Sequence, residues 1–360
     1  MTIDISTPLQ TVTDALSALL NPWSQASRLL KLTTPLGADT LLVECVTGRE
    51  GLSQGYKFEI MALSTDAHLE LKALTGQPVL LELLTATAAG STLLAAALPL
   101  TGTLTGAGER RPFHGHVTRA EVVGANGGLA RYRLVVEPWT VFLGASRDST
   151  TYQDMNVFEI LESVFRDYEG QGALAPAWRL DIADPGLYLT RSLTTQYQET
   201  DLAFVERLMN EEGLFYFYEH EGDAVSPTRG RHTLVIADHN GAFTPNPQAD
   251  IDFTQPGATM KRDSMDRWRG ERRLQTNTVA LSGWDYRGLD TRPVVAHGSA
   301  ENGGDGLSLV SRDAPGLYPY PTREQGERRA NHRKRPAAPS IQLSLMSVQT
   351  AMAADHQCGC

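Results

Sequence analysis

Cysteine is scarce in this sequence: Cys45, Cys358 and Cys360 are the three in 360 residues. Three thiols, two of them at the carboxyl terminus, do not provide a disulfide framework. We therefore expect a fold held by its own hydrophobic cores in a reducing compartment. The terminal stretch HQCGC contains metal-ligating residue types, but it lacks the second cluster of a paired Cys-x-x-Cys motif. A disordered tail is the simpler interpretation.

Basic residues are outnumbered, since 32 Lys and Arg against 42 Asp and Glu give a net charge of −10. This balance argues against a broad nucleic-acid-binding surface, because phosphates would be repelled at long range. The local basic run at 328–335 is interpreted as a solvated tail. No apolar run reaches the roughly 18 residues that cross a bilayer, so no stable membrane insertion is expected.

The amino terminus lacks the positive start of a secretory signal, because Asp4 precedes Arg28, the first basic residue. We expect the chain to fold and assemble in the cytoplasm. Any later export would use a route that needs no cleaved leader. The length and the 41% hydrophobic content predict a globular protein of two to three domains.

Short apolar runs, separated by Gly, Pro, Thr or Asp about every ten residues, occupy the chain after Ala26. This texture is typical of an antiparallel barrel or sandwich. The predicted strands cover 29–33, 41–47, 55–63, 78–84, 113–123 and 130–137. The sequence Asn126-Gly127-Gly128 predicts the hairpin turn between the last two strands. A short helix is predicted at 11–20, and a loop or an edge hairpin at 85–111.

Pro138 cannot donate to a strand ladder and is predicted to end the first barrel. Trp139, Val141 and Phe142 are expected to pack under the end of that barrel. A helix follows at 156–168, with Asn156 and Glu159 as a reciprocal cap. Its predicted buried stripe consists of Val157, Ile160, Leu161, Val164, Phe165 and Tyr168.

A second helix is predicted from the N-cap Thr200 to Gly213, the residue suited to a left-handed C-cap. Its predicted buried face consists of Leu202, Val205, Leu208 and Met209. Glu211 and Glu212 fall in its last turn. Catalytic carboxylate pairs face each other across a cleft, whereas adjacent helical positions point about 100° apart. We therefore expect these two side chains to point apart as ordinary helix residues.

The strand from Leu214 to Tyr218 has apolar residues on both faces. Such a pattern predicts burial on both sides, either in a core or against a second subunit. Within FHGHV, His114 and His116 lie two apart on a strand, so their rings leave the same face and could hold a metal. Two ligands do not complete a metal site, and a solvated surface is the simpler interpretation for His116.

Motifs of enzymes are not evident in the sequence. The stretch TGTLTGAG lacks the Gly-Lys-Ser/Thr ending of a phosphate loop, and there is no Gly-x-Ser-x-Gly elbow. The alternative function is a hydrolase acting on cell-wall or glycan material through the carboxylates or the His114/His116 pair. A carbohydrate-binding sandwich would need coplanar exposed aromatics. The tryptophans are too scattered to support it: Trp139, Trp178, Trp268 and Trp284.

Several long blocks resemble, in order, the amino-terminal module of the VgrG family, the spike-tip proteins of type VI secretion systems. The blocks are RLLKLTTPLGADTLLVECVTGREGLSQGYKFEIMALS, FHGHVTRAEVVGANGGLARYRLVVEPWTVFL, SRDSTTYQDMNVFEILESVF, TQYQETDLAFVERLMNEEGLFYFYEHE and HTLVIADH. The resemblance covers about residues 28 to 330. That module is in turn similar to the hub protein of contractile phage tails.

The resemblance implies a mainly β fold with a few helices, containing two tail-tube-like β-barrel domains. It implies a homotrimeric, non-enzymatic structural hub that joins the hexameric Hcp tube to the spike and baseplate proteins. It also implies that the hub carries effector proteins and is secreted without a signal peptide. It supplies no catalytic residue, cofactor or metal. Closing a ring of three copies would bury strand edges and apolar faces. The candidates for the subunit interface are Leu214, Phe215, Tyr216, Phe217 and Tyr218.

The expected division of the chain is a helical extension at 1–27, a first barrel at 28–145, a helix-containing linker with a second barrel at 146–330, and an atypical tail at 331–360. After YPYPTREQGERRA the family continues through a helix into an OB-fold and a β-helical needle. The last thirty residues do not resemble that helix. We expect a hub without its needle, from truncation or as a natural short form, with weakened trimer contacts.

Overall fold

A computed structural model describes residues 23–25, 28–84, 110–126, 128–245, 252–253, 264–265, 276–297, 309–314, 320 and 322–334. The described residues form a mainly β protein with three α-helices, so the predicted fold class is confirmed. No helix in this part of the chain combines the length and apolar character needed to cross a membrane.

The first sheet is antiparallel and contains six strands in the order β1-β4-β5-β6-β3-β2. The strands are β1 (Leu30–Thr33), β2 (Leu42–Gly51), β3 (Gln54–Ser64), β4 (Pro78–Leu84), β5 (Arg110–Asn126) and β6 (Leu129–Glu137). All six predicted strands are therefore confirmed. The side chains of β6 alternate over its first half, where Tyr132 and Leu134 are buried. Arg131 and Arg133 face outward and pair with carboxylates of β2 and β3.

The second part of the chain places two helices against short strands. Its elements are β7 (Arg147–Asp148), β8 (Thr151–Met155), α1 (Val157–Arg166), β9 (Trp178–Asp181), β10 (Arg191–Thr195), β11 (Glu199–Thr200), α2 (Asp201–Glu212), β12 (Phe215–Gly222) and β13 (Gly230–Ala237). β12 and β13 form an antiparallel hairpin, and β9 joins β13 in parallel.

The remaining described elements form a smaller unit. They are β14 (Asp252–Phe253), β15 (Ser264–Met265), β16 (Thr278–Asp285), β17 (Asp290–His297), β18 (Val310–Asp313) and α3 (Arg323–Lys334). β16 lies between β17 and β18. Ala330 of α3 and Tyr320 pack with β16 and β17 in a common core.

Two larger cores lie in the first and second parts of the chain. The first-sheet core is built from strand residues such as Ile60, Tyr132 and Leu134. Trp139 is fully buried in the second core, where its ring meets Phe165 edge-on at a centroid distance of 5.2 Å. The expectation that Trp139 packs under the first barrel is therefore wrong. The chain enters the helical core as soon as Pro138 ends β6.

Both helix boundaries follow the capping chemistry of the sequence. Asn156 and Glu159 form the predicted reciprocal cap of α1. The Thr200 hydroxyl accepts from the Ala203 amide at 3.2 Å, and Gly213 ends α2 in the left-handed region at φ 71°. The whole predicted stripe of α1 is buried. On α2, Phe204 takes the buried place that was predicted for Leu202, which is half-buried.

Replacing Gly213 with alanine is expected to lower the free energy of unfolding by about 1 kcal/mol, because a Cβ is unfavourable at φ 71°. Gly124→Ala is the control, since Gly124 has no positive φ and a Cβ there would meet nothing within 4 Å. Urea unfolding curves measure both variants. Equal stability of the two variants would contradict the assigned C-cap.

Three predicted segments lie wholly or mostly outside the described residues. These are the helix at 11–20 within the extension 1–27, the loop at 85–111 except its last two residues, and the tail beyond residue 334. Residues 331–334, which the tail prediction included, are helical and belong to α3. The division into two barrels with those boundaries stays a prediction.

Candidate functional site

β12 connects the two larger cores through alternate residues. Tyr216 and Tyr218 point to its inner face, and Tyr218 packs against both cores. The ring of Tyr218 meets that of Tyr56 on β3 edge-on at a centroid distance of 5.0 Å. The backbone amide of Ser53 donates to the carbonyl of Tyr216 at 2.8 Å. The inner face of β12 is thus the junction between the first sheet and the second part.

Both tyrosine hydroxyls on this face are satisfied within the chain. The Tyr218 hydroxyl lies 2.6 Å from Thr140 Oγ1, and the Tyr216 hydroxyl donates to Glu206 Oε1 at 2.8 Å. Burial is the main cause that raises the pKa of each hydroxyl above its usual value. Neither hydroxyl ionises near neutral pH, so these residues have a structural role.

The outer face of β12 carries Phe215 and Phe217, which stack with Phe243. The ring centroids are 5.5 Å and 5.1 Å from that of Phe243, which is 40% exposed. We call Phe215, Phe217 and Phe243 the phenylalanine platform. Phe215 and Phe217 are the members of the predicted interface segment that lie on this partly exposed face, and Phe243 adjoins them.

The five interface candidates therefore separate into two groups. Leu214 and Tyr216 are buried inside this chain, and Tyr218 is mostly enclosed by both cores. Phe215 and Phe217 are partly buried. The inner face of β12 is therefore buried in this chain, whereas its aromatic outer face is partly exposed. The subunit interface stays a prediction.

Four histidines meet beside the inner face of β12. We call His114, His116, His220 and His232 the histidine cluster. His220 and His232 are register partners on β12 and β13. His114 Nδ1 lies 2.8 Å from His232 Nδ1, and the His114 backbone amide donates to His220 Nδ1 at 3.1 Å. The cluster therefore joins β5 of the first sheet to the β12–β13 hairpin.

The other ring nitrogens of the paired imidazoles contact the backbone. His114 Nε2 lies 2.7 Å from the carbonyl oxygen of Thr228, and His232 Nε2 accepts from the Trp139 amide at 2.8 Å. The ring of His116 packs edge-on against Phe142 at a centroid distance of 5.8 Å. Among the residues that the structure describes, its nitrogens have no hydrogen-bond partner.

Burial lowers the pKa of three of these histidines, His114, His116 and His232. Desolvation is the main cause that lowers the pKa of His114 and of His116 from 6.5 to about 4. A hydrogen bond to the Thr228 backbone opposes the shift at His114, and the nearby Ala173 backbone opposes it at His116. The pKa of His232 falls well below its usual value, first through burial and then through the neighbouring histidines.

The structure corrects the interpretation of His116 as a surface residue. The rings of His114 and His116 do leave the same face of β5, but His114 is 2% exposed and His116 is 1% exposed. In the part of the chain that is described, no group of three or more His, Cys, Asp or Glu residues is placed to hold a metal ion. The nitrogens of His114 are instead used in hydrogen bonds.

Glu211 and Glu212 do not point apart, so that expectation is wrong. Both carboxylates bind the guanidinium of Arg191 on β10: Glu211 Oε2 at 3.1 Å from Nη1, and Glu212 Oε1 in a close contact with Nη2. The reason is that two long side chains on adjacent helical positions turn toward one shared cation. Arg207 adds a further contact to Glu211 at 3.1 Å. These side chains are only 13% and 15% exposed, so the arrangement pairs charges rather than presenting acids to a substrate.

Arg329 corrects the interpretation of the basic run as a solvated tail. Its guanidinium lies 2.8 Å from Glu211 Oε2, and its side chain is 9% exposed. Because Arg329 lies on α3, the ion pair fixes this helix to the end of α2. A run of positive charges in the sequence cannot show which one of its members has a buried partner.

Sequence reasoning identified half of the histidine cluster. His220 and His232 lie more than a hundred residues after His114, and no short spacing relates them to it. The available signal was their alternation with apolar residues along the segments that form β12 and β13, which places them on inward-facing positions. It does not reveal that the facing element is β5.

Comparison with known proteins gives a family match over most of the chain. The family model of the phage tail baseplate hub (GPD) matches residues 49–338. The type VI secretion system spike protein VgrG1a of Pseudomonas aeruginosa is 30% identical over 320 residues, which are 86% of this chain and 43% of that protein. VgrG1b of the same organism is 29% identical over 303 residues, 83% of this chain and 35% of that protein.

A similar solved structure is the Escherichia coli c3393 protein, described as a type VI secretion system component with structural similarity to the T4 bacteriophage tail proteins gp27 and gp5. It is 23% identical, with a TM-score of 0.44 over 60% of this chain and 50% of that one. The present chain spans about two fifths of the length of the two curated relatives named above.

Proposed function

The chain belongs to the phage tail baseplate hub (GPD) family, and from this premise we propose that it is a structural hub of a type VI secretion machine. In this role three copies form a ring that joins the hexameric Hcp tube to the spike and the baseplate. The role is mechanical, with no catalytic step. The observation that carries the proposal is the family match over residues 49–338.

The similarity to spike proteins named VgrG supports the same role, since it covers 83% to 86% of this chain. We propose that the protein assembles in the cytoplasm and is then secreted by the machine itself, carrying effector proteins. The two tube-like units would be a barrel at 28–145 and a second barrel within 146–330, which also contains the helical linker. Near-sixfold symmetry would follow, because two similar units from each of three copies match a hexamer.

The phenylalanine platform is the surface that we propose for contact between copies. Phe215 and Phe217 lie on β12, an edge strand of its three-stranded sheet, and Phe243 packs beside them. Stacked aromatic rings supply large apolar area with little loss of side-chain freedom on binding. An edge strand also offers backbone groups to a neighbouring copy.

Light scattering at micromolar concentration is expected to give a trimer, three times 39.3 kDa or about 118 kDa, or a monomer–trimer equilibrium. Addition of Hcp hexamers should shift the particle to a larger complex, which cryo-microscopy would show with the ring seated on the tube. A monomer at every concentration, with no binding to Hcp, would contradict the proposed hub.

The double variant Phe217→Ser/Phe243→Ser tests the platform. We expect at least a tenfold weaker trimer, because truncating aromatic anchors at the centre of an interface typically costs about 2 kcal/mol or more. Val225→Ser is the matched control, since Val225 is 92% exposed and lies outside the platform. A trimer that persists in the double variant would show that the interface lies elsewhere. The proposed hub role would then still be tested by the formation of a complex with Hcp.

A further inference from the structure

The histidine cluster has no part in the proposed contacts between copies. It lies at the junction inside each chain, where β5 meets the β12–β13 hairpin. The four imidazoles have ring centroids 5.1 to 6.4 Å apart, so this buried contact contains four titratable rings close together. Their hydrogen bonds determine where each proton lies.

The contacts fix the tautomers of His114 and His232. The Thr228 carbonyl can only accept, so His114 Nε2 carries its hydrogen and donates at 2.7 Å. The Trp139 amide can only donate, so His232 Nε2 is unprotonated. The hydrogen of a neutral His232 is then on Nδ1, which donates to the bare Nδ1 of His114 at 2.8 Å.

His220 continues the same pattern. The His114 backbone amide donates to His220 Nδ1, so the hydrogen of a neutral His220 is on Nε2. That nitrogen faces Glu50 Oε1 at 3.4 Å. One arrangement of protons, with His114 and His232 neutral, therefore satisfies the hydrogen bonds of this pair and that to His220 Nδ1.

An added proton has no favourable place on the paired rings. On His114 Nδ1 it would face the hydrogen on His232 Nδ1, and on His232 Nε2 it would face the Trp139 amide. Each protonation replaces a hydrogen bond by two opposed donors. A charged ring would also lie about 5 Å from another imidazole, in a site that excludes water.

The surrounding elements offer little compensation for such a charge. Glu50 at the end of β2 faces His220 rather than the His114–His232 pair. The Tyr56 hydroxyl of β3 already donates to the His114 carbonyl, and that of Tyr218 on β12 is bonded to Thr140. His116, from β5 itself, is a further imidazole that would repel a cation.

We propose that the histidine cluster is an acid-sensitive lock, which holds the β12–β13 hairpin against the first sheet while its rings are neutral and releases it when they are protonated. The two larger cores are built from separate sets of residues that share Tyr218 at their borders. Opening of the junction therefore does not require either core to unfold. The lock is a property of each chain and does not depend on the proposed hub role.

Hydrogen exchange of the full chain at pH 7.5 and pH 5.0, corrected for the intrinsic pH dependence of exchange, tests the lock. The amides of Ser53 and His114, which donate across the junction, should lose at least tenfold protection at pH 5.0. Amides within α1 and β6 should stay at least tenfold better protected than the junction amides at pH 5.0. Equal protection at the junction and in the cores at pH 5.0 would indicate global unfolding and overturn the lock, as would unchanged protection at the junction.

His232→Gln is the informative variant, because its amide keeps an acceptor and a donor but cannot take up a proton. Between pH 7.5 and pH 5.0 its junction should lose at least tenfold less protection than the junction of the unchanged protein. His68→Gln, at an exposed position, should behave as the unchanged protein. A loss in His232→Gln as large as that of the unchanged protein would overturn the proposal.

A spectroscopic readout on the unchanged protein keeps the test valid if His232→Gln does not fold. At pH 7.5 the nitrogen resonances of ¹⁵N-labelled histidines should show the Nε2–H tautomer for His114 and the Nδ1–H tautomer for His232. Charged rings or the opposite tautomers at this pH would contradict the lock.

Discussion

Replacing Arg191 with methionine is expected to lower the free energy of unfolding by about 3 to 5 kcal/mol. Arg191 is 11% exposed and binds both Glu211 and Glu212. Its loss leaves Glu212 with Arg329 at 3.8 Å as its remaining close cation among the described residues. The effect comes mainly from Glu212, which loses its closest cation, because methionine fills a similar volume without a charge. Urea unfolding at pH 7.5 measures it.

Arg166→Met is the matched control for this prediction. Arg166 also pairs with a glutamate on its helix, Glu162, but its side chain is 60% exposed. Exposed pairs of this kind contribute about 0.3 to 0.5 kcal/mol, so the control should change little. Adding Glu212→Gln to Arg191→Met should restore part of the lost stability. Similar losses for Arg191→Met and Arg166→Met would show that burial of the network is not energetically important.

Stability is expected to fall by about 4 kcal/mol between pH 7.5 and pH 5.0 through His114 and His116 together. Burial lowers the pKa of each from 6.5 to about 4. The unfolded chain therefore binds more protons than the folded chain as the pH falls through 6.5, and each histidine costs about 2 kcal/mol by pH 5.0. The contribution is absent above pH 7.5 and stops growing below about pH 4.

His116→Leu isolates one histidine in this measurement. Neither nitrogen of His116 has a hydrogen bond of normal geometry, so its removal leaves no buried partner unsatisfied. The variant should lose about 2 kcal/mol less than the unchanged protein between pH 7.5 and pH 5.0. His68→Gln, which removes an exposed histidine, should leave the pH dependence of the free energy of unfolding unchanged. If the free energy of unfolding depends on pH in His116→Leu as it does in the unchanged protein, His116 is not buried in its neutral form.

Local chemistry explains why so much of the secondary structure could be predicted. The caps at Asn156, Thr200 and Gly213 act within a few residues, and each is present as expected. The strand alternation of β6 is equally local, because the side chains of successive residues point to opposite faces. These signals need no knowledge of which element lies opposite.

The failed predictions for Trp139, Arg329 and His116 all required the identity of a distant neighbour. Trp139 follows the first sheet in sequence but packs on Phe165 of α1. Arg329 belongs to a basic run, yet it is buried against Glu211, 118 residues earlier. His116 alternates as a surface residue could, but its face is covered by the second part of the chain.

The sequence by itself determined the mainly β class, the two capped helices and, through ordered blocks of residues, the hub family. Tertiary structure decided which charges and imidazoles are buried together: the arginines around Glu211 and Glu212, and the histidines between β5 and the β12–β13 hairpin. The physical reason is the range of the forces involved. Caps and alternation act between near neighbours along the chain, whereas desolvation and ion pairing depend on segments that only folding brings into contact.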